Sequence, residues 1–193
     1  MSPIVLVHGI IDNSKVFGKM SSYLKGKGYD VHCVDLIPNY GIEDLRVLAT
    51  QVKTYIDNNF SGEQKIHLVG FSMGGLVTRY YLQRLEGLSK INKYVSISAP
   101  NNGTNMAKTL PLKGIRQMRP DSDFLRDLNG DVDEQFSSLD CLFLWTPYDL
   151  MIIPAHSSIL PVGKNFYIPV LTHKWMISDS RVLDKVNSFL KMG

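Results

Sequence analysis

The sequence predicts an α/β fold in which helices cover both faces of a mostly parallel sheet of about six strands. Short apolar runs, often β-branched, alternate with helix-like runs along the whole 193-residue chain. Near-continuous apolar strands suit a parallel sheet that is buried on both faces. Strand–helix alternation favours a doubly wound arrangement. Because the length suits one hydrophobic core, we expect a single domain over residues 1–193.

The predicted strands are six short segments bounded by turn residues. They are Ile4–Val7, Val31–Val34, Ile66–Val69, Tyr94–Ile97, Leu142–Leu144 and Tyr167–Leu171. Ligands of open α/β sheets bind outside the carboxyl ends of the strands. We therefore expect the functional side chains in the loops that follow these segments.

Three helices are predicted from apolar residues that recur every three or four positions. These residues are Leu45, Leu48, Val52, Tyr55 and Ile56, then Leu76, Val77, Tyr80, Tyr81 and Leu85, and finally Val182, Val186, Phe189 and Leu190. Gly87 is a suitable stop for the second helix, and Asp179 or Ser180 can cap the third.

The segment from Asn101 to Asp140 departs from this alternation. It contains several glycines and prolines and has no clear strand, which is unusual for a connection of this length. Long connections often form lids or substrate walls. We expect either a short lid or wall over residues 101–140, or an extra helix or two packed on the edge of the core.

Composition excludes several classes of protein. No apolar run approaches the length of a membrane span. The net charge of +3 is mild and no basic cluster indicates nucleic acid, so at most weak, peripheral contact with lipid surfaces is expected. Cys33 and Cys141 lie in strand-like runs and are predicted to be buried free thiols. Residues 1–3 lack the features of a secretory signal, which favours a cytoplasmic protein.

The most informative motif is Gly-x-Ser-x-Gly at Gly70, Ser72 and Gly74, directly after a predicted strand and before a predicted helix. In a nucleophile elbow, a sharp strand-to-helix turn lifts the serine hydroxyl out of the backbone. Bulky residues two positions away would clash with that turn, and glycine removes the clash. The motif therefore predicts Ser72 as a catalytic nucleophile.

A serine nucleophile needs a base, which is usually a histidine held by a carboxylate. His173 follows the last predicted strand, so it should lie at the same edge of the sheet as Ser72. His156 follows Pro154 in a loop and is the second candidate.

The orienting carboxylate should follow the strand between nucleophile and base. Asp149 comes a short turn after Leu142–Leu144, whereas Asp140 precedes that strand and should face the opposite edge. Asp179 is explained by helix capping. The resulting order Ser72, Asp149, His173 is the order of α/β-hydrolase triads.

Acyl transfer also requires hydrogen-bond donors for the oxyanion of the tetrahedral intermediate. The backbone N–H of Met73 begins a helix, whose dipole favours negative charge. Gly9 allows a tight turn after the first strand, so the N–H of Ile10 can point at the site. His8 is predicted to stabilise that loop by hydrogen bonding.

Together these features resemble the α/β-hydrolase superfamily, and within it small bacterial lipases and esterases. The resemblance rests on Val5-Leu6-Val7-His8-Gly9-Ile10, Val69-Gly70-Phe71-Ser72-Met73-Gly74-Gly75, Ser98-Ala99-Pro100-Asn101-Asn102-Gly103-Thr104, Asp149-Leu150-Met151-Ile152-Ile153-Pro154 and Thr172-His173. It implies hydrolysis of fatty-acid esters through an acyl-enzyme, without a cofactor or metal. Phe71 departs from the family pattern, because lipases frequently have histidine before the nucleophile.

Apolar residues that flank the predicted catalytic and oxyanion-hole positions in sequence are candidates for the substrate pocket. They are Ile11, Phe17, Ile152, Ile153 and Trp175. The leading hypothesis is a carboxylic ester hydrolase that acts on a lipid or small-molecule ester. An acyl thioesterase or acyltransferase using the same triad, and a hydrolase-fold binding protein without turnover, are the alternatives.

Overall fold

The structure is a computed structural model that describes residues 1–192. Six parallel strands form one sheet in the order β2–β1–β3–β4–β5–β6. The strands are β1 (Ile4–Val7), β2 (Val31–Val34), β3 (Ile66–Phe71), β4 (Ile91–Ile97), β5 (Asp140–Trp145) and β6 (Lys164–Tyr167). The α-helices are α1 (Gly18–Gly26), α2 (Leu45–Asn59), α3 (Met73–Arg84), α4 (Lys113–Gln117), α5 (Asp123–Gly130), α6 (Val132–Gln135) and α7 (Ser180–Lys191). The predicted α/β fold is confirmed.

Helices cover both faces of the sheet, as the apolar strands predicted. Alternate side chains of β1 enter opposite halves of the core. Val5 and Val7 pack in the half that contains the apolar faces of α2 and α3. Ile4 and Leu6 pack in the half that contains those of α1 and α7.

The last strand lies earlier in the chain than predicted. The sequence predicted Tyr167–Leu171, but β6 spans Lys164–Tyr167 and is a largely exposed edge strand paired with β5. Because the side chains of β6 are largely exposed, this strand does not need the run of apolar residues on which the prediction relied. Pro169 has no N–H to donate to a ladder, so the apolar run continues as a loop, in which Val170 is buried in the core.

The segment from Asn101 to Asp140 contains the short helices α4, α5 and α6. Its apolar side chains pack in the same half of the core as α3. The guanidinium of Arg79 on α3 is fully buried and donates to the carbonyl oxygens of Asn101 (3.3 Å) and Leu128 (3.0 Å). Burial lowers the pKa of Arg79 to about 10, so it stays charged at neutral pH while it ties this segment to α3.

The two cysteines are free thiols. Cys141 is buried, as predicted, and burial raises the pKa of its thiol to about 12. Cys33 is only partly buried, contrary to the prediction, because β2 is an edge strand of the sheet. Within residues 1–192, no helix combines the length and apolar character needed to cross a bilayer.

The start of α3 approaches the ends of β1 and β4 so closely that only glycine fits. A Cβ atom on Gly74 would overlap the carbonyl oxygens of Val7 and His8, and one on Gly75 would overlap the Cβ of Ala99. Backbone atoms cannot move aside as the tip of a flexible side chain can. The glycines after Ser72 therefore set how deeply α3 packs onto the sheet.

We expect Gly74→Ala to lower the free energy of unfolding by about 1–3 kcal/mol, because its methyl group overpacks a rigid backbone contact. Gly26→Ala is the matched control, since a Cβ atom there meets no atom within 4 Å. In a helix that change should be neutral or stabilise by up to about 1 kcal/mol. Urea unfolding followed by circular dichroism measures both. Equal stability of the two variants would contradict the close packing.

Candidate active site

Ser72 occupies the sharp turn between β3 and α3. Its backbone has φ 54° and ψ −127°, a conformation that is strained for any residue with a side chain. The Ser72 N–H donates to the carbonyl oxygen of Ile97 (2.9 Å), and the Ser72 carbonyl oxygen accepts from the N–H of Gly75 (2.9 Å). A Cβ atom on Gly9 would lie 2.9 Å from the Cβ of Ser72. The structure thus gives Ser72 the backbone geometry that a nucleophile elbow requires.

Asp149 and His173 form a hydrogen-bonded pair in the loops that follow β5 and β6. Nδ1 of His173 donates to Oδ2 of Asp149 at 2.7 Å, with both side chains largely buried. Oδ1 of Asp149 accepts from the N–H groups of Met151 (2.9 Å) and Ile152 (3.0 Å). The carboxylate is therefore fixed on both oxygens. With Nδ1 as donor, Nε2 of the neutral imidazole is left as an acceptor.

Phe71 contacts the His173 ring from the side of β3. The two ring centroids are 4.9 Å apart and the planes are tilted by 34°. Because Phe71 is buried at the end of β3, it offers a rigid surface to the imidazole. The residue that departs from the lipase pattern thus packs against the candidate base.

Ser72 and His173 line the same cleft, whose volume is about 430 Å³. In the part of the chain that the structure describes, no hydrogen bond joins the Ser72 hydroxyl to the imidazole. Catalytic hydrogen bonds are often long without substrate and shorten in the substrate complex. The two groups are therefore placed to share a substrate.

The other candidate bases lie away from Ser72. His156 is exposed in a 3₁₀ turn over Ala155–Ser158 and does not line this cleft. His32 is hydrogen-bonded to Asp30 (2.9 Å) on the edge strand β2. His67 is buried within β3, and burial together with the charge of Lys93 lowers its pKa to about 4.

The alternative acids also have other roles. Asp140 stands at the first residue of β5, at the edge of the sheet opposite Asp149, as predicted. Asp179 accepts from the N–H of Arg181 (2.9 Å) and caps α7, also as predicted. Among residues 1–192, no group of three His, Cys, Asp or Glu side chains is placed to hold a metal ion.

The loop after β1 is held by the buried His8, as predicted. Its Nε2 accepts from the N–H of Leu36 (3.0 Å), and its Nδ1 donates to the carbonyl oxygen of Gly9 (2.8 Å). Ile11 has a positive φ of 59° and donates its N–H to the carbonyl oxygen of Asn39 (3.0 Å). These contacts fix the loop that contains the predicted oxyanion donor Ile10.

The second predicted donor, Met73, is the first residue of α3. The first N–H groups of a helix have no acceptor within the helix, and they form the positive end of its dipole. Because Met73 directly follows Ser72, its N–H stays the predicted second donor to an oxyanion.

A second cavity of about 230 Å³ meets the cleft at Ser72. Both cavities are lined by Ile10, Ile11, Ser72 and Met151. The smaller one is strongly apolar and is lined mainly by residues of the segment that follows β4. These residues are Pro100, Thr104, Met106, Ala107, Thr109, Leu110, Ile115 and Met118, together with Ile152. Ser72 therefore lies at the junction of an apolar cavity and an open cleft.

Only part of the predicted substrate pocket lies beside Ser72. Ile11 and Ile152 line the cavities there. Phe17, Ile153 and Trp175 do not line either cavity, so proximity in sequence to the predicted catalytic positions did not identify pocket residues reliably. Phe17 is fully buried in the core, and Trp175 is 55% exposed outside the cleft. The Ile153 N–H donates to Oγ1 of Thr104 (2.9 Å), which holds its backbone against the neighbouring loop.

The sequence analysis missed the apolar residues Met106, Leu110, Ile115 and Met118. They lie far from the triad in sequence and reach it only because the segment after β4 folds back over Ser72. One signal in the sequence pointed to them. They are apolar residues within the 101–140 segment, for which a lid or wall is one of the expected structures.

The α/β-hydrolase class is defined by three features that this structure has. They are a parallel sheet of this strand order, a serine in a strained strand–helix turn, and an Asp–His pair after later strands. The family model for palmitoyl protein thioesterases matches residues 3–120. The chain belongs to this family and has the α/β-hydrolase fold.

The chain is also similar to lysosomal thioesterases. Lysosomal thioesterase PPT2-B of Xenopus laevis is 26% identical over 127 residues, covering 61% of this chain and 44% of that protein. Human lysosomal thioesterase PPT2 is 31% identical over 107 residues, covering 52% and 34%. The match therefore spans less than half the length of either relative.

Solved structures with a similar fold include two lipases. The mature Bacillus licheniformis lipase BlEst2 has a TM-score of 0.81 at 16% identity, covering 99% of this chain and 92% of that one. Aspergillus fumigatus lipase B has a TM-score of 0.82 at 18% identity, covering 100% and 53%. At 16% and 18% sequence identity, the structural similarity to these lipases shows a shared fold and nothing more.

We expect Asp149→Asn to lower hydrolysis of a short nitrophenyl ester by about two to four orders of magnitude. The amide retains an acceptor for the backbone N–H groups, but turning its NH₂ group toward His173 favours the wrong imidazole tautomer. Asp140→Asn is the control, because the same substitution at the opposite edge should leave the rate unchanged. Steady-state rates measure both, and an active Asp149→Asn variant would contradict the orienting role.

Proposed function

We propose that this protein is a serine hydrolase that releases fatty acyl groups from thioesters through an acyl-enzyme. The position of Ser72 carries the proposal, because it stands between an apolar cavity and a cleft lined by His173, which is paired with the buried Asp149. A nucleophile needs a base in one direction and an apolar acyl site in the other. Both lie beside this serine.

In the first half-reaction, Oγ of Ser72 attacks the acyl carbonyl carbon while Nε2 of His173 takes its proton. Asp149 stabilises the imidazolium through its hydrogen bond to Nδ1. The carbonyl oxygen becomes an oxyanion, and the N–H groups of Ile10 and Met73 donate to it. Collapse of this intermediate breaks the bond to the leaving sulfur, which receives the proton from His173.

In the second half-reaction, a water molecule replaces the thiol in the cleft. His173 takes a proton from the water as it attacks the acyl-serine carbonyl carbon. The same oxyanion donors act again, and collapse returns the proton to Oγ of Ser72. The products are a free carboxylic acid and the restored serine, so the cycle consumes only water.

The two cavities divide the substrate between them. The apolar cavity suits the acyl chain, and the segment from Met106 to Met118 acts as its wall within the single domain. The open cleft suits the leaving group. Its rim includes an ion pair between Asp12 and Lys174 (3.0 Å), which can bind a polar leaving group such as a peptide.

Membership of the palmitoyl protein thioesterase family favours thioesters over oxygen esters as the natural substrate. Both named relatives are thioesterases. A carboxylic ester hydrolase stays the second candidate, because the same triad cleaves esters and the fold is shared with lipases. The cytoplasmic location of this protein stays a prediction. The two thioesterase relatives, by contrast, are named lysosomal.

A matched pair of substrates tests the thioester preference. An S-octanoyl cysteine peptide and the corresponding O-octanoyl serine peptide differ only at the scissile atom. We expect a higher kcat/KM for the S-acyl peptide, measured by chromatography of the released peptide. Equal or higher kcat/KM for the O-acyl peptide would favour the esterase candidate.

Variants of the triad test the mechanism on the same substrates. We expect Ser72→Ala and His173→Ala each to lower kcat by at least about three orders of magnitude. His156→Ala should retain full activity, because its ring is exposed outside the cleft. A fluorophosphonate probe should label the wild type but not Ser72→Ala. Absence of both labelling and turnover in the wild type would indicate a binding protein instead.

The apolar wall predicts a chain-length effect. Met106 lines the apolar cavity and is 38% exposed, so a larger side chain can enter the cavity without repacking the core. We expect Met106→Trp to lower kcat/KM for palmitoyl thioesters by about tenfold or more and to spare acetyl thioesters. Val47→Trp, on the exposed face of α2, is the control. An unchanged chain-length profile would place the acyl chain elsewhere.

A further inference from the structure

Positive charge is concentrated in the segment that forms the acyl wall. From Asn101 to Pro120 the chain has four cations and no acid, whereas the whole chain has 21 basic and 18 acidic residues. The cations are Lys108, Lys113, Arg116 and Arg119. Positive charge is therefore concentrated in one stretch of a chain whose net charge is only +3.

Exposed apolar side chains surround the opening of the two cavities at Ser72. Leu110 from the basic segment is 49% exposed, and Met106 lies beside it. Across the opening, Ile11 is 72% exposed, Leu150 is 77% exposed and Met151 is also exposed. All five line one or both cavities. An exposed apolar patch of this kind, bordered by charge, indicates an interaction surface.

The basic residues lie directly beside this apolar rim. Pro111 follows Leu110 and lines a separate polar cavity of about 520 Å³ together with Arg46, Lys113, Arg116 and Arg119. Ile115 and Met118, from the same short stretch, line the acyl cavity instead. The segment therefore presents apolar groups to the acyl site and cations to its outer border.

Acidic groups on this border are partly neutralised. Asp44 is paired with Arg46 and Lys113, both at 3.3 Å, and hydrogen bonds from Gln117 and Arg46 keep its pKa low despite burial. Asp121 and Asp123 line the far side of the polar cavity, where Asp123 is paired with Arg126.

The remaining cations divide into two groups. Arg119 donates to the carbonyl oxygens of Ala107 (3.0 Å) and Leu110 (3.3 Å), so it holds the shape of the segment. Lys108 and Arg116 have exposed side chains that are available to an external anion.

We propose that this face docks on an anionic lipid bilayer. The apolar rim enters the interfacial region, and Lys108 and Arg116 bind the anionic headgroups around it. Apolar burial and headgroup attraction together make such peripheral binding stable and dependent on lipid composition. The proposal rests on the proposed function in one respect. Docking in this orientation lets a membrane-held acyl chain reach the apolar cavity without crossing water, which matters only if the cavity binds acyl chains.

Vesicle sedimentation tests the docking surface with the full chain. We expect the wild type to bind vesicles of phosphatidylcholine with 30% phosphatidylserine at least about tenfold more tightly than phosphatidylcholine alone. The double variant Lys108→Glu/Arg116→Glu should lose that difference. Its hydrolysis of a soluble acetyl thioester should be unchanged, because neither side chain lines the cavities at Ser72. Leu110→Ser should weaken binding to both kinds of vesicle.

The matched control reverses the charge of two exposed lysines at the opposite edge of the sheet. Lys25 and Lys27 lie at the end of α1, before β2 begins, so Lys25→Glu/Lys27→Glu changes the net charge equally. It should bind anionic vesicles like the wild type. The proposal would be overturned if the wild type bound both kinds of vesicle equally tightly. It would also be overturned if both double variants lost the same amount of binding to anionic vesicles. A wild type that binds vesicles but hydrolyses no acyl substrate would instead contradict the proposed function alone.

Discussion

The close approach of α3 to the carboxyl ends of β1 and β4 is the constraint on which the site depends. Gly74 and Gly75 allow the helix to begin against the carbonyl oxygen of Val7 and the methyl group of Ala99. This packing holds Ser72 in a conformation with positive φ that the isolated chain would avoid. It also places the N–H of Met73, a proposed oxyanion donor, at the start of α3 beside Ser72.

Rigid contacts also fix the partners of Ser72. Asp149 is held through both carboxylate oxygens, one by backbone N–H groups and one by His173. The imidazole lies between that carboxylate and the buried ring of Phe71. Reorganisation during the reaction is small when charges form against dipoles that are already in place. The Ser72 backbone is thus strained, and the orientation of the His173 ring is fixed from two sides.

The segment from Asn101 to Asp140 gives a common α/β site its particular substrate environment. The buried guanidinium of Arg79 ties it to α3, so the wall and the nucleophile helix are held together. Its inner side chains close the apolar cavity, and its cations face outward beside the opening. The proposed acyl cavity and the proposed lipid-binding surface are therefore formed by the same segment.

The sequence by itself determined the fold class and the three triad candidates, because strand periodicity, the elbow glycines and loop positions after strands are local features. It could not place β6, whose exposed residues have no apolar pattern, nor separate Ile11 and Ile152 from Phe17, Ile153 and Trp175 as pocket residues. Tertiary structure alone decided which apolar side chains surround Ser72, since Met106 and Ile115 reach it through packing of distant segments. It also decided which cations of the basic segment are exposed, since Arg119 is held by backbone carbonyl oxygens whereas Lys108 and Arg116 face solvent.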